Sequence, residues 1–259
     1  MEILLFFLAI LPGLGICFYI FKTDKYEQEA WWALLICFLL GVVCTYPAIE
    51  LEQSVIDRGY DITSNLLEVF LYALFGVAVI EEVAKTLCLF IFPYFTKNFN
   101  EPMDGIVYAV MIGMGFATLE NVIYANNFGL ETVLVRAFTA IPAHAIFAVI
   151  TGYYVGLSKF DKDKRILNVL KGLGWAILIH AIYDFFLLQE MYDWLSAFAI
   201  VTLLVSYQFA KKMIHRHQVN SPFFTPANAP QEDTVAANAP PTGTWDEELD
   251  DLMNTQNEE

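Results

Sequence analysis

Basic residues are scarce in this chain. Its 259 residues include 14 Lys and Arg against 29 Asp and Glu, which gives a formal net charge of −15. A nucleic-acid-binding protein needs a basic face to neutralise phosphates, and this surplus of acidic residues argues against that class.

The common signatures of soluble enzymes are also missing. The sequence has no P-loop, no dinucleotide-binding fingerprint, no HExxH and no internal repeat. Its cysteines lie in or beside apolar runs and lack metal-ligand spacing, so we expect packing roles rather than disulfides or a cysteine metal site. The first segment lacks a basic n-region and a small-x-small cleavage site, so we expect an uncleaved first helix.

Apolar residues are abundant instead. They make up 57% of the chain, with 22 Phe and 13 Tyr. Runs of about 20 apolar residues, each long enough to cross a bilayer of about 30 Å, recur along the chain. We therefore predict an all-α polytopic membrane bundle of about seven transmembrane helices, near residues 2–21, 30–49, 66–92, 104–126, 132–157, 168–188 and 191–210.

The distribution of Lys and Arg predicts the orientation of these helices. One side of the membrane holds only Arg58 and Arg136. The other side holds Lys22, Lys25, Lys97, Lys159, Lys162, Lys164, Arg165, Lys171, Lys211, Lys212 and Arg216. Since positive residues favour the cytoplasmic side, we predict an outside N-terminus and a cytoplasmic C-terminus.

Two parts of the chain differ in composition. We predict a polytopic membrane domain over 1–212 and a disordered, acidic cytoplasmic tail over 213–259. The sequence "TWDEELDDLM" near its end carries apolar residues at helical spacing. It is either part of a solvated acidic tail or a short helix that docks on a cytoplasmic partner.

Few ionisable residues lie well inside the predicted spans. They are Glu81, Glu82, Lys85, Glu120, His144, His180 and Asp184. A charged residue at mid-membrane opposes insertion by about 2.5–3.5 kcal/mol, and leucine would pack better. A functional cavity is therefore favoured over a purely structural polar network.

The spacing of these residues suggests one shared site. Glu81 and Glu82 lie four and three residues before Lys85, so we expect one carboxylate to pair with the ammonium while the other projects into the bundle. His180 and Asp184 share a face of the sixth span. His144 lies near the middle of the fifth span, and Glu120 lies on the fourth.

Such a group supports more than one chemistry. Carboxylates and imidazoles can activate water by general base catalysis, or can hold a metal such as zinc. A proton-coupled transporter or channel could use the same Glu, His and Asp residues as a relay, and a non-enzymatic membrane scaffold is a third reading. The residues alone leave these alternatives open.

Four motifs together resemble a known family. "EEVAK" at 81–85, "FATLEN" at 116–121, His144 in "IPAHAIFAVITGYYVG" and His180 in "HAIYD" are similar to the PrsW-type intramembrane proteases. These proteases are relatives of the CAAX prenyl proteases and the ABI membrane proteins. The resemblance covers about residues 60–190.

The resemblance implies an intramembrane endopeptidase in a bacterial inner membrane. It implies cleavage of single-span membrane proteins, typically anti-sigma factors in stress signalling. Carried over by position, the catalytic residues are Glu81, Glu82, Glu120, His144 and His180. Zinc is the expected metal, with Glu120, His144 and His180 as candidate ligands, and a metal-free mechanism stays open.

Four further residues are expected to support the site. These are Lys85, Phe116, Asn121 and Asp184. In the related CAAX proteases an Asn follows the last histidine by four residues, where this chain has Asp184. An aspartate cannot donate an amide hydrogen bond, so we expect Asp184 to orient His180.

Overall fold

The structure of the chain, a computed structural model, describes residues 2–61 and 65–224. Within these ranges the secondary structure is helical, without strands. The α-helices are α1 (Glu2–Thr23), α2 (Trp31–Ile56), α3 (Leu66–Leu71), α4 (Val79–Ile91), α5 (Pro102–Phe138), α6 (Ala140–Phe160), α7 (Arg165–Leu188) and α8 (Ala197–Val219). Short 3₁₀ turns cover Pro93–Phe95 and Asp193–Ser196. The predicted all-α membrane bundle is confirmed.

Six helical segments in the described ranges are long and apolar enough to cross a membrane. They are Leu4–Thr23, Trp31–Ile56, Pro102–Phe138, Ala140–Phe160, Arg165–Leu188 and Asp193–Val219. The remaining predicted span, 66–92, is not one uniform helix. A π-helical turn over Tyr72–Ala78 separates α3 from α4, directly before the pair Glu81 and Glu82. Such π-helical insertions are frequent at functional sites.

Helix α5 lies at the centre of the bundle and packs on α1, α2 and α6. The contact with α2 depends on glycine, because a Cβ on Gly115 would lie 1.9 Å from the carbonyl oxygen of Phe38. Gly41 faces the same contact from α2. Only small residues let two helix backbones approach this closely, as they do in membrane helix pairs.

The boundary between the fourth and fifth spans differs from the prediction. Residues 130–138, which we expected in part to begin the fifth span, belong to α5 beyond a break at Gly129, whose φ of +81° favours glycine. Helix α6 therefore begins at Ala140, and His144 lies in its first turns. Our placement of His144 near the middle of the span was wrong. The residues on both sides of the helix break are apolar, so the sequence gives no sign of where one helix ends and the next begins.

The last helix extends past the predicted end of the membrane domain at residue 212. Helix α8 continues through Val219, and the compact unit that contains the bundle ends at Pro222. The second unit is Phe223–Glu259. Residues 225–259, with the possible docking helix, lie outside the described residues, so the acidic tail stays a prediction.

Candidate active site

The ionisable residues predicted to share a site come together from four helices. α4 supplies Glu81, Glu82 and Lys85, α5 supplies Glu120, α6 supplies His144, and α7 supplies His180. The side chains from α4, α6 and α7 are buried, and Glu120 is partly buried. Groups this far from water need partners inside the protein.

Lys85 lies between the two glutamates of α4. Its Nζ is 3.1 Å from Glu81 Oε2 and 2.6 Å from Glu82 Oε1. We expected one carboxylate to pair and the other to project away, but the spacings of three and four residues bring both within reach of one ammonium. Lys85 also lies 4.7 Å above the ring of Phe116, so a cation–π contact holds it from α5.

His144 connects the α4 glutamates to Glu120. Its Nε2 lies 3.0 Å from Glu120 Oε2, and its Nδ1 lies 3.3 Å from Lys85 Nζ. A neutral imidazole satisfies both contacts if Nε2–H donates to Glu120 and Nδ1 accepts from the ammonium. The Nδ1 atom is also 3.7 Å from Glu81 Oε2, so its lone pair faces the centre of the cluster.

His180 lies between two carboxylates. Its Nδ1 is 3.0 Å from Glu82 Oε1 and its Nε2 is 3.1 Å from Asp184 Oδ2. The ring stacks on Phe147 with centroids 4.6 Å apart, which fixes its plane. Asp184 therefore contacts the far nitrogen of His180, which is the contact that an orienting role requires.

Arg136 is a member of the cluster that the sequence reasoning missed. Its Nη2 lies 2.7 Å from Glu120 Oε2, and its guanidinium lies 3.9 Å above the ring of Tyr124. We had counted Arg136 on the outer side of the membrane, but the helix beyond Gly129 brings it back toward Glu120. An arginine within a long apolar stretch was the available signal.

Asn121, a predicted supporting residue, holds Arg136 in this position. Its Oδ1 accepts a hydrogen bond of 3.1 Å from Arg136 Nε, and its Nδ2 donates to the carbonyl of Ala9 in α1. Asn121 is fully buried. Its contacts support Arg136 and the α1–α5 packing rather than the histidines.

Glu52 of α2 is a second residue that the sequence reasoning missed. It fell outside the predicted span 30–49, whereas α2 continues to Ile56. Glu52 lies within electrostatic range of Glu81 and Glu120, and its Oε1 is buried without a hydrogen-bond partner among the described residues. The cluster therefore has an additional carboxylate on the α2 side.

Three of these residues have the donor set of a metal site. One ligand atom each from Glu81, His144 and His180 lies within 4.8 Å of the others. Two imidazoles and one carboxylate suit zinc, and His₂Glu sets occur in zinc hydrolases. The set differs from our predicted one, since Glu81 rather than Glu120 completes it. Glu120 instead contacts the Nε2 of His144, the position of an outer partner that orients a ligand histidine.

Comparison with known proteins gives the same family that the motifs resemble. Residues 29–210 match the model of the PrsW family intramembrane metalloproteases. The chain belongs to the PrsW family. It is 35% identical over 182 residues to Protease PrsW of Geobacillus kaustophilus (strain HTA426), which covers 70% of this chain and 79% of that protein.

Two further PrsW proteins show similar coverage. Protease PrsW of Bacillus subtilis (strain 168) is 34% identical over 192 residues, which is 72% of this chain and 84% of that protein. Protease PrsW of Clostridioides difficile (strain 630) is 31% identical over 227 residues, 85% of this chain and 94% of that protein. No solved structure matched the chain.

Membership of the PrsW family establishes the general activity. The chain is a multi-pass membrane protease of a family described as intramembrane metalloproteases. A protease of this kind acts on membrane proteins within the bilayer. The competing transporter or channel interpretation is not favoured by these relatives.

Proposed function

We propose that the buried Glu/His cluster activates a water molecule that hydrolyses a peptide bond of a membrane-anchored protein. The supporting observation is the arrangement of Glu81, Glu82, His144 and His180 around the ammonium of Lys85. General base catalysis needs a carboxylate held ionised within hydrogen-bond reach of water. A neighbouring ammonium favours the ionised form.

Glu82 is our candidate for the general base. One of its oxygens lies against both Lys85 and His180, so the carboxylate is fixed in orientation. Glu81 belongs to the donor set with His144 and His180, which leaves Glu82 for proton transfer. Proton transfer by a positioned carboxylate contributes about 10²–10⁴-fold to rate.

Glu81, His144 and His180 would hold the metal, and we propose zinc. The fit rests on their donor chemistry and on the outer partners Glu120 and Asp184, each of which contacts the far nitrogen of one histidine. A zinc ion in such a site lowers the pKa of bound water and polarises the scissile carbonyl. The metal-free alternative uses the same glutamates with a histidine as the oxyanion partner.

The substrate class follows from the family and the burial of the site. We propose a single-span membrane protein as substrate, with an anti-sigma-factor-like protein as the first candidate. Because the carboxylates are buried, the substrate segment must enter the helical bundle to bring its peptide bond to them. The predicted orientation, with a cytoplasmic C-terminus, is part of this proposal.

Co-expression tests the proposal. A panel of epitope-tagged single-span membrane proteins, anti-sigma-factor-like ones included, would be expressed with the full chain and examined for shortened products. We expect cleavage of at least one member, and loss of that cleavage in each of Glu81→Ala, Glu82→Ala and His180→Ala.

The control variant is Glu131→Gln, which removes an exposed carboxylate from α5. It should retain cleavage, and immunoblots should show equal accumulation of all the variants. Persistent cleavage in all three site variants would overturn the assignment.

A further inference from the structure

We call Glu81, Glu82, Lys85, Glu120, His144 and His180 the proteolytic cluster. A second group of carboxylates lies away from it. Glu27 and Glu29 belong to the loop between α1 and α2, and Asp104 lies in the first turn of α5. One carboxylate oxygen of each lies within 4.8 Å of the others. Glu29 and Asp104 are almost completely buried, and Glu27 is half-buried. We call these three residues the loop carboxylates.

The two carboxylate oxygens of Asp104 differ, because one accepts hydrogen bonds and the other does not. Its Oδ2 accepts hydrogen bonds of 2.7 and 2.8 Å from the backbone amides of Asn100 and Glu101, which caps α5. Its Oδ1 is buried and accepts no hydrogen bond from the described residues. The side chain is 0% exposed, so this oxygen has also lost its contact with bulk water.

Glu29 repeats the pattern. Its Oε2 accepts a hydrogen bond from the hydroxyl of Tyr108, while its Oε1 is buried and has no donor among the described residues. The Oε2 of Glu27 is likewise buried and has no hydrogen-bond donor among the described residues. Each of the three carboxylates thus has one buried oxygen without a donor among the described residues, and the three groups lie in one small region. A buried carboxylate oxygen without a partner is costly, and three together also repel each other.

The surrounding charges increase this cost. Burial raises the pKa of Asp24 most, and the negative charges of Glu101, Glu29 and Glu27 add to the effect, so that the pKa is about 8. Burial likewise raises the pKa of Glu29 to about 7. A bound cation would turn this repulsion into attraction.

We propose that Glu27, Glu29 and Asp104 form a binding site for a divalent cation with oxygen ligands, and that Ca²⁺ is its occupant. The donor set contains only carboxylate oxygens, which hard cations prefer, and lacks the imidazole of the proteolytic cluster. Ca²⁺–O distances of about 2.3–2.6 Å allow ligands up to about 5 Å apart, which covers the spacing of these oxygens. Mg²⁺ dehydrates reluctantly and usually keeps several waters, so a site built from several protein carboxylates favours Ca²⁺.

The location gives such an ion a structural consequence. It would join the α1–α2 loop to the start of α5. The same region also anchors the end of α8, because Ser221 donates to Glu101 and Gln218 Nε2 donates to the Thr23 carbonyl at 2.5 Å. An ion bound by the loop carboxylates would therefore stabilise the junction of α1, α5 and α8 on the predicted cytoplasmic side.

Calorimetric titration tests the site. Ca²⁺ and Mg²⁺ would be titrated separately into the purified full chain in detergent. We expect one Ca²⁺ site per chain, with Mg²⁺ at least tenfold weaker. Asp104→Asn keeps an oxygen for the α5 cap but removes the free carboxylate oxygen, and it should weaken Ca²⁺ binding at least tenfold.

Two more variants complete the design. Glu27→Gln should also weaken Ca²⁺ binding at least tenfold, and it decides the question if Asp104→Asn does not accumulate, because Glu27 takes no part in an α5 cap. Asp163→Asn, which removes an exposed carboxylate between α6 and α7, is the matched charge control and should bind as the wild type does.

Three results would overturn the proposal. The first is a wild-type protein that binds neither ion at millimolar concentration, which would point to a proton shared between Glu29 and Asp104. The second is equal Ca²⁺ affinity in the wild type and Glu27→Gln. The third is tighter binding of Mg²⁺ than of Ca²⁺, which would exclude Ca²⁺ as the occupant.

Discussion

The bundle holds buried carboxylates in two places and partners them differently. In the proteolytic cluster, Glu81 and Glu82 contact Lys85, and Glu120 contacts Arg136. At the loop carboxylates, Glu29 and Asp104 each keep a buried oxygen without a donor among the described residues.

The difference shows two ways of keeping acidic residues inside a membrane protein. Where the chain supplies its own cations, ion pairs hold the carboxylates in place for chemistry. Where buried carboxylate oxygens have no donor among the described residues, the same residue type favours an ion from solution. Variants that remove one partner at a time test this contrast.

The largest expected effect follows loss of Glu82. Glu82→Ala removes the proposed base and leaves Lys85 and His180 without one carboxylate partner each, so cleavage should fall by about 10²–10⁴-fold. Quantitative immunoblotting of substrate and product measures the change, with Glu131→Gln as control. A loss below about threefold would show that Glu82 is not the base.

Zinc content distinguishes the two possible ligand sets. Glu81→Ala should lose bound zinc, whereas Glu120→Gln should weaken zinc binding only about 10–100-fold, as expected for an outer partner of a ligand histidine. Mass spectrometry of purified protein after dialysis against defined zinc concentrations gives the affinities. Equal loss in both variants would make Glu120 a direct ligand, and zinc-free wild type that cleaves would favour the metal-free mechanism.

Arg136 should have an intermediate effect. Arg136→Gln leaves Glu120 without its guanidinium partner. Because Glu120 then no longer fixes the Nε2 side of His144, we expect activity to fall by about 10-fold. Arg136→Lys should recover part of the loss, since lysine keeps the charge but not the planar fork. Arg58→Gln, at an exposed arginine near the end of α2, is the control. Failure of Arg136→Lys to improve on Arg136→Gln would argue against a charge-based positioning role.

The smallest effect concerns the independence of the two regions. Ca²⁺ at saturating concentration should raise the unfolding temperature of the wild type by several degrees, because an ion that binds only the folded state stabilises it. Glu82→Ala should show the same rise, measured by thermal unfolding in detergent. If Glu82→Ala abolished the rise, the ion would be binding to the proteolytic cluster instead.

Much of this organisation was predictable from residue types and spacing. Glu81, Glu82 and Lys85 stood out because charges are costly within an apolar segment, and their spacing on α4 explained their contacts. His180 and Asp184 were placed on one face of a helix in the same way, and their atoms lie 3.1 Å apart.

Contacts between distant segments were not predictable. Arg136 was counted at the outer end of the fifth span because nothing in the local pattern revealed that α5 continues past Gly129. Glu27 and Glu29 looked like ordinary loop acids, since their proximity to Asp104 depends on how the loop packs on α5. Periodicity reports which residues share a helix face, but it contains no information on how one helix is rotated against another.

Composition and the lengths of the apolar runs specify the helical membrane bundle and the residue types available for chemistry. Long apolar runs can satisfy their backbone hydrogen bonds in a bilayer only as helices, and costly polar residues are conspicuous there. Helix packing determines which charges of distant segments meet: Lys85 with His144, Arg136 with Glu120, and the loop carboxylates with each other. The reason is that these contacts depend on the rotation and breaks of packed helices, which only the close packing of the whole bundle fixes.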